Sequence, residues 1–247
     1  MSVRFESRGQ VGVVSLDRPE RRNAVDRATA AALLDAYRRF EADAALRVLV
    51  VTGSGGTFCA GADLKALDND VDSSEGPMGF TRLRSEKPCI AAIEGHCVAG
   101  GLEIALFCDL RVAGRSAQLG CLERRWGVPL IDGGTQRLPR IVGLGRALDL
   151  VLTGRLVDST EAERIGLVDR VVEDGSALER AVELAGELAA FPWACLLADR
   201  ASLLDAQGLP LSEGIAREAA RGREVLAEAA LGAKVFADGA GRHGQRR

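Results

Sequence analysis

Apolar residues fall in short runs over most of the chain and at helical spacing toward its C-terminal end. Residues 48–52 (VLVVT) and 90–93 (IAAI) are continuous apolar runs, the signature of parallel strands buried on both faces. Residues 3–5 and 11–16 flank Arg8-Gly9-Gln10 and read as a hairpin. Residues 110–112, 117–120 and 167–172 read as further short strands. Asp26 is placed to cap a helix over 27–40. Helical spacing recurs over 145–152, 159–165, 178–190, 193–206 and 212–230. Strands alternate with helices up to Val172, and only helices follow. That order predicts an α/β core with a helical appendage.

The segment 87–109, KPCIAAIEGHCVAGGLEIALFCD, organises the rest. The IAAI strand ends at Glu94-Gly95, and Ala99-Gly100-Gly101 open a helix whose Leu102, Ala105 and Leu106 share helical spacing. Gly100 falls at the helix start, where backbone N–H groups have no internal partner and favour negative charge. Glu103 lies on the same face one turn in. It is either a first-turn acid favoured by the helix dipole or a functional carboxylate, because an apolar helix tolerates a carboxylate poorly without a partner.

A second segment, FCAGADL at 58–64, accompanies the first. Together they resemble the crotonase family, also called the enoyl-CoA hydratase/isomerase family. LDRPERRNAV, GGTQRLPRIVG and LTGRLVDSTEAERIGLVDRVV are similar to family segments and stand in the family's order, over residues 3–190. The resemblance implies a crotonase (ClpP-like) α/β fold of repeated ββα units forming a spiral core, with C-terminal helices that associate into trimers and hexamers. The division expected is a core over 1–190, a helical trimerisation region over 191–238 and a disordered tail over 239–247. The substrate implied is an acyl-CoA thioester, with coenzyme A part of the substrate and no separate cofactor or metal.

By the same resemblance, the N–H groups of Ala62 and Gly100 form an oxyanion hole, and Glu103 and Glu123 are the catalytic pair. Candidate contacts to the CoA thioester are Arg22, Ala24, Ala60, Ala62, Asp63, Leu64, Lys65 and Gly100. The loop carrying Arg22 and Ala24 reads equally as a solvated basic loop, and Glu123 alone as a surface ion-pair partner of Arg124 or Arg125. Residues 66–80 read as a mobile loop, and the resemblance implies that this loop borders the acyl pocket. Where hydratases of the family show P-G-x-G-G, this chain has Pro129-Leu130-Ile131-Asp132-Gly133-Gly134. Asp132 is either a third carboxylate near the reacting carbons or a cap for a helix opening at Gly133-Gly134. The leading expectation is hydration of a 2-enoyl-CoA. Double-bond isomerisation and acyl-CoA binding without turnover are the alternatives.

Composition narrows this little. The chain has 247 residues, enough for a sizeable core, and a formal net charge of −3, with no basic footprint for nucleic acid. The glycines after strand 48–52 do not fit the dinucleotide spacing. His96 and His243 are the only histidines, and His96 reads as structural rather than part of a triad. Six cysteines show no CxxC pair, which suits reduced core thiols in a cytoplasmic protein. No apolar stretch approaches a membrane span.

Overall fold

The computed structural model describes residues 2–239. The chain divides into two compact units, Met1–Leu188 and Ala189–Arg247.

The first unit opens with β1 (Val3–Arg8) and β2 (Val11–Leu16), an antiparallel hairpin turning at Gly9 with φ 63°. α1 (Arg27–Ala42) follows, with Asp26 Oδ1 accepting the Thr29 N–H at 2.8 Å as its cap. Then come β3 (Val48–Gly53), β4 (Cys89–Ile93), β5 (His96–Val98), α2 (Gly100–Phe107), β6 (Leu110–Gly114) and β7 (Gln118–Gly120). A 3-10 turn over Leu122–Trp126 leads to α3 (Gly134–Val142), α4 (Leu144–Thr153), β8 (Val157–Asp158), α5 (Ser159–Arg164), β9 (Arg170–Val172) and α6 (Ala177–Ala189).

Two sheets result. The larger has the order β1-β2-β3-β4-β6-β9 and is parallel from β2 onward. The smaller has the order β5-β7-β8. The repeat is therefore a strand in the large sheet, a strand in the small sheet, then a helix: β4-β5-α2, followed by β6-β7 and its helices. All five residues of β4 are buried, which is why that strand carries no polar side chain. α2 is likewise buried from Gly101 to Leu106, so its apolar residues run around the whole helix rather than down one face. The core links both sheets with α1 and α2. Within it Phe80 stacks on Tyr37 of α1 (centroids 5.2 Å apart) and meets Phe107 of α2 edge-on at 5.0 Å.

The second unit contains α7 (Trp193–Asp205), α8 (Leu211–Glu224) and α9 (Leu226–Ala237). None of the three has a buried residue, and Leu203, Leu211, Ile215, Leu231 and Phe236 are exposed.

Three expectations change in detail, and one strand goes unread. The strand expected over 167–172 is only Arg170–Val172, because Leu167 and Val168 direct their N–H groups to Ala162 O and turn the chain. The helix expected over 212–230 breaks at Val225, whose ψ of 8° leaves the helical well. β5 escapes a reading of apolar runs, since His96 starts it and only Cys97 and Val98 are buried. Residues 66–80 lack regular structure but are pinned: Asp68 receives the Arg27 N–H at 3.0 Å, and Asn69 Nδ2 donates to Val25 O and Pro77 O. The tail expected to be disordered lies, apart from Gly239, outside the described residues.

Candidate active site

The small sheet continues past β5 into the FCAGADL segment. Cys59 and Cys97 form a parallel bridge, with Cys59 N–H donating to His96 O (3.0 Å) and Val98 N–H to Cys59 O (3.1 Å). Three residues beyond each lie Ala62 and Gly100. The two chains stay close there, since a Cβ on Gly61 would stand 2.9 Å from Gly100 N. On its other side this segment pairs with Val25, which donates to Gly61 O and accepts from Asp63 N–H, both at 2.8 Å. That alternation leaves the Ala62 N–H unused. The Gly100 N–H, at the first position of α2, has no intrahelical acceptor. No hydrogen bond among the described residues takes either N–H, and both residues line one cavity. Ala99 turns the chain into α2 with φ 53° and ψ −130°, a conformation that a Cβ disfavours.

The same cavity, about 320 Å³ in volume, receives Glu103, Glu123 and Asp132, otherwise facing apolar side chains such as Met78, Val98, Leu122 and Ile131. Glu103 is buried, and its Oε1 accepts the N–H groups of Asp132 (2.9 Å) and Gly134 (2.8 Å). Burial pushes its carboxyl up to about 7; the two N–H donors oppose that, and the charges of Asp132 and Glu123 add to it. Glu123, on the 3-10 turn, is also buried, and neither carboxyl oxygen has a hydrogen-bond partner among the described residues. Burial raises its carboxyl too. It is thus not a surface ion-pair partner of Arg124 or Arg125, both of which are exposed. Gly134 must be a glycine, because a Cβ there would press on the Glu103 side chain at 2.9–3.0 Å.

The remaining predicted residues separate into groups. Ala60 and Leu64 line the cavity with Ala62 and Gly100. Arg22 and Lys65 are exposed and line no part of it, while Ala24 is buried. Asp63 is buried and engaged: its carboxylate meets Arg18 Nη2 at 3.1 Å, and Arg18 also pairs with Asp26 at 3.0 Å and donates to Ala24 O. Asp63 therefore straps the Arg18–Ala24 loop to the Ala62 segment. Asp132 does not cap α3. That helix starts after Gly133 with no side-chain cap, and the Asp132 carboxylate instead accepts the Met78 N–H (3.1 Å) and the Thr81 hydroxyl. Among the described residues no group of His, Cys, Asp and Glu is arranged to hold a metal ion.

The family model for enoyl-CoA hydratase/isomerase matches residues 6–231. The chain belongs to the enoyl-CoA hydratase/isomerase family. Enoyl-CoA hydratase EchA19 of Mycobacterium tuberculosis is 37% identical, with 94% of this chain and 92% of that protein aligned. The structure of enoyl-CoA hydratase EchA1 from Mycobacterium marinum superposes with a TM-score of 0.91 at 36% identity, covering 96% of each chain. A structure of a putative enoyl-CoA hydratase from Thermobifida fusca in complex with CoA gives a TM-score of 0.82 at 31% identity, covering 93% and 94%. The fold is the crotonase fold of this family.

Some residues that build this family member's site carry no signal in the sequence. Thr81 and Met78 reach Asp132 from 51 and 54 residues away. Asn23 is fully buried and left-handed (φ 56°), accepting from Arg18 N–H and donating to Ser54 O and Thr57 O. Only its place in the segment LDRPERRNAV could have marked it, because Asn tolerates that conformation better than most residues.

Proposed function

We propose that this enzyme is an enoyl-CoA hydratase that adds water across the double bond of a 2-enoyl-CoA thioester, with coenzyme A as part of the substrate and no separate cofactor. The observation that carries this reading is the convergence of two unengaged N–H groups and two buried glutamates on one apolar cavity. The Ala62 and Gly100 N–H groups hold the thioester oxygen and stabilise the negative charge that develops on it in the enolate. Water attacks C3 while one glutamate carboxylate takes its proton. The other glutamate, as the acid, gives a proton to C2. The pair ends with the same number of protons it began with, exchanged between the partners. Burial raises both carboxyls, Glu103 to about 7, and so favours the protonated form that the member acting as the acid requires.

Isomerisation would need one group to move a proton between carbons with no water added, and the Asp132 carboxylate is already held by two donors. The exposed apolar residues of α7, α8 and α9 support self-association of these helices into a trimer or hexamer. The test is the absorbance of the conjugated enoyl thioester. Hydratase turnover bleaches it. A 3-enoyl substrate that gains the band instead would move the assignment to isomerase, and binding with no change in either direction would remove the enzyme reading.

A further inference from the structure

Residue 132 touches both halves of the site at once. Its main-chain N–H is one of the two donors on Glu103 Oε1, at 2.9 Å. Its carboxylate is bonded to the Met78 N–H at 3.1 Å and to the Thr81 hydroxyl. Its carbonyl accepts from Arg137 Nη1 at 2.9 Å, and Nη2 of the same guanidinium donates to Thr81 O at 2.6 Å. Arg137 is itself set by the Phe107 ring, 5.4 Å away. Met78 in turn packs on the oxyanion side, since a Cβ on Gly100 would lie 2.9 Å from its sulfur. The charged groups facing Asp132 are Glu103 from α2, Arg137 from α3 and Arg82 from the irregular segment. Asp132 and Thr81 are both buried, so neither bond is shared with bulk water.

We infer that Asp132 is a positioning residue: its carboxylate locks the irregular segment around Met78 and Thr81 onto the turn before α3, so that the Asp132 and Gly134 N–H groups stay on Glu103 and Met78 stays against Gly100, while Asp132 transfers no proton. A carboxylate already occupied by an N–H and a hydroxyl serves as an anchor. A loosened anchor would let Glu103 and the oxyanion donors drift, and misplacement by about 1 Å can cost around a hundredfold in rate. The inference rests on the hydratase reading for its kinetic arms but not for its titration arm.

Asp132→Asn and Asp132→Ala separate the roles. Asparagine keeps a carbonyl to accept from Met78 and Thr81; alanine keeps nothing. The measurements are kcat and KM for hydration, thermal midpoint, and the titration of Glu103 by carboxyl NMR on glutamate-labelled protein, assigned with Glu103→Gln. For Asp132→Asn, kcat within about threefold of wild type is expected, with Glu103 titrating lower because a repelling charge has gone. For Asp132→Ala, kcat should fall by about a hundredfold, and Glu103 should titrate higher than in Asp132→Asn because its two N–H donors have loosened. If Asp132→Asn is as inactive as Asp132→Ala, the group is needed for its proton or charge and the inference is overturned. If Asp132→Ala loses thermal midpoint but keeps kcat, the anchor serves stability alone and the inference is again overturned. Should Asp132→Ala fail to fold, Thr81→Val removes the hydroxyl donor while keeping the side chain's shape; it should lower kcat more than Asp132→Asn does and raise the Glu103 titration, and a wild-type Thr81→Val overturns the proposal. If the wild-type enzyme hydrates no enoyl-CoA, the hydratase reading fails. The order of the Glu103 titrations then still decides the role of Asp132.

Discussion

Cys59 and Cys97 stand opposite each other in a single parallel bridge, and this pairing sets the spacing of the two backbone donors, Ala62 and Gly100, three residues further along each chain. Neither thiol takes part in the chemistry. Both are fully buried, and burial pushes both well above the ordinary thiol value. Their role is to be small enough for the strands to approach. Gly101 enforces the same approach from α2, where a Cβ would stand 2.8 Å from Cys59 Cβ and nearer still to its carbonyl oxygen.

Gly101→Ala should therefore force the two strands apart. The expected result is a loss of about 1–3 kcal/mol in stability together with a fall of about a hundredfold in hydration rate. Denaturant unfolding and turnover on the same preparation check it. Wild-type values in both would show that the spacing tolerates a methyl group.

Glu103→Gln and Glu123→Gln should each lower hydration turnover by about a hundredfold to ten-thousandfold, with thioester binding retained, because an amide keeps the shape but accepts no proton at neutral pH. Glu123→Gln carries a second consequence. Both oxygens of Glu123 are buried without a partner among the described residues, so removing the charge should raise the unfolding midpoint at pH 8 while it removes activity. A midpoint at or below wild type would contradict the burial reading.

Stability should depend on pH through Glu103. Its carboxyl is held at about 7 in the folded protein against 4.5 ordinarily. Folding thus favours the protonated form. The associated stability is fully present below pH 4.5 and is lost as pH rises through 7, by roughly 3 kcal/mol in all. The wild-type minus Glu103→Gln difference in unfolding free energy should fall across that window. A difference independent of pH would mean that Glu103 titrates like an exposed glutamate.

Ala99→Gly should stabilise the protein. The φ of 53° and ψ of −130° at Ala99 strain any residue with a Cβ, at about 1–3 kcal/mol, while glycine's extra freedom in the unfolded chain takes back about 0.4–1 kcal/mol. A net gain of about 1 kcal/mol is expected, with kcat near wild type because the Gly100 N–H keeps its place. Thermal unfolding decides it, and a lower midpoint would show that the strain is relieved elsewhere.

The residues that line up along the chain were legible without a structure. Residues 48–52 and 90–93 announce buried parallel strands because both faces of such strands must be apolar, and Asp26 announces a helix start because its side chain reaches only three residues. The segments around Ala62, Gly100, Glu103 and Glu123 stand out as similar to a family, and the structure places all four on one cavity. What lay beyond the sequence was any contact whose partners come from distant segments. Asp132 looks like a helix cap because caps are local, yet its partners are Met78 and Thr81, brought to it by packing of the irregular segment on the core. Asp26 reads as a helix cap and Asp63 as a candidate thioester contact, and only the fold shows that Arg18 joins the two. The state of the two glutamates belongs to the same class. A carboxyl's titration follows from how much water its neighbours exclude and which N–H groups they aim at it; Glu103 and Glu123 are both desolvated, and Glu103 alone receives the Asp132 and Gly134 N–H groups, only when α2, the 3-10 turn and the start of α3 close around one cavity.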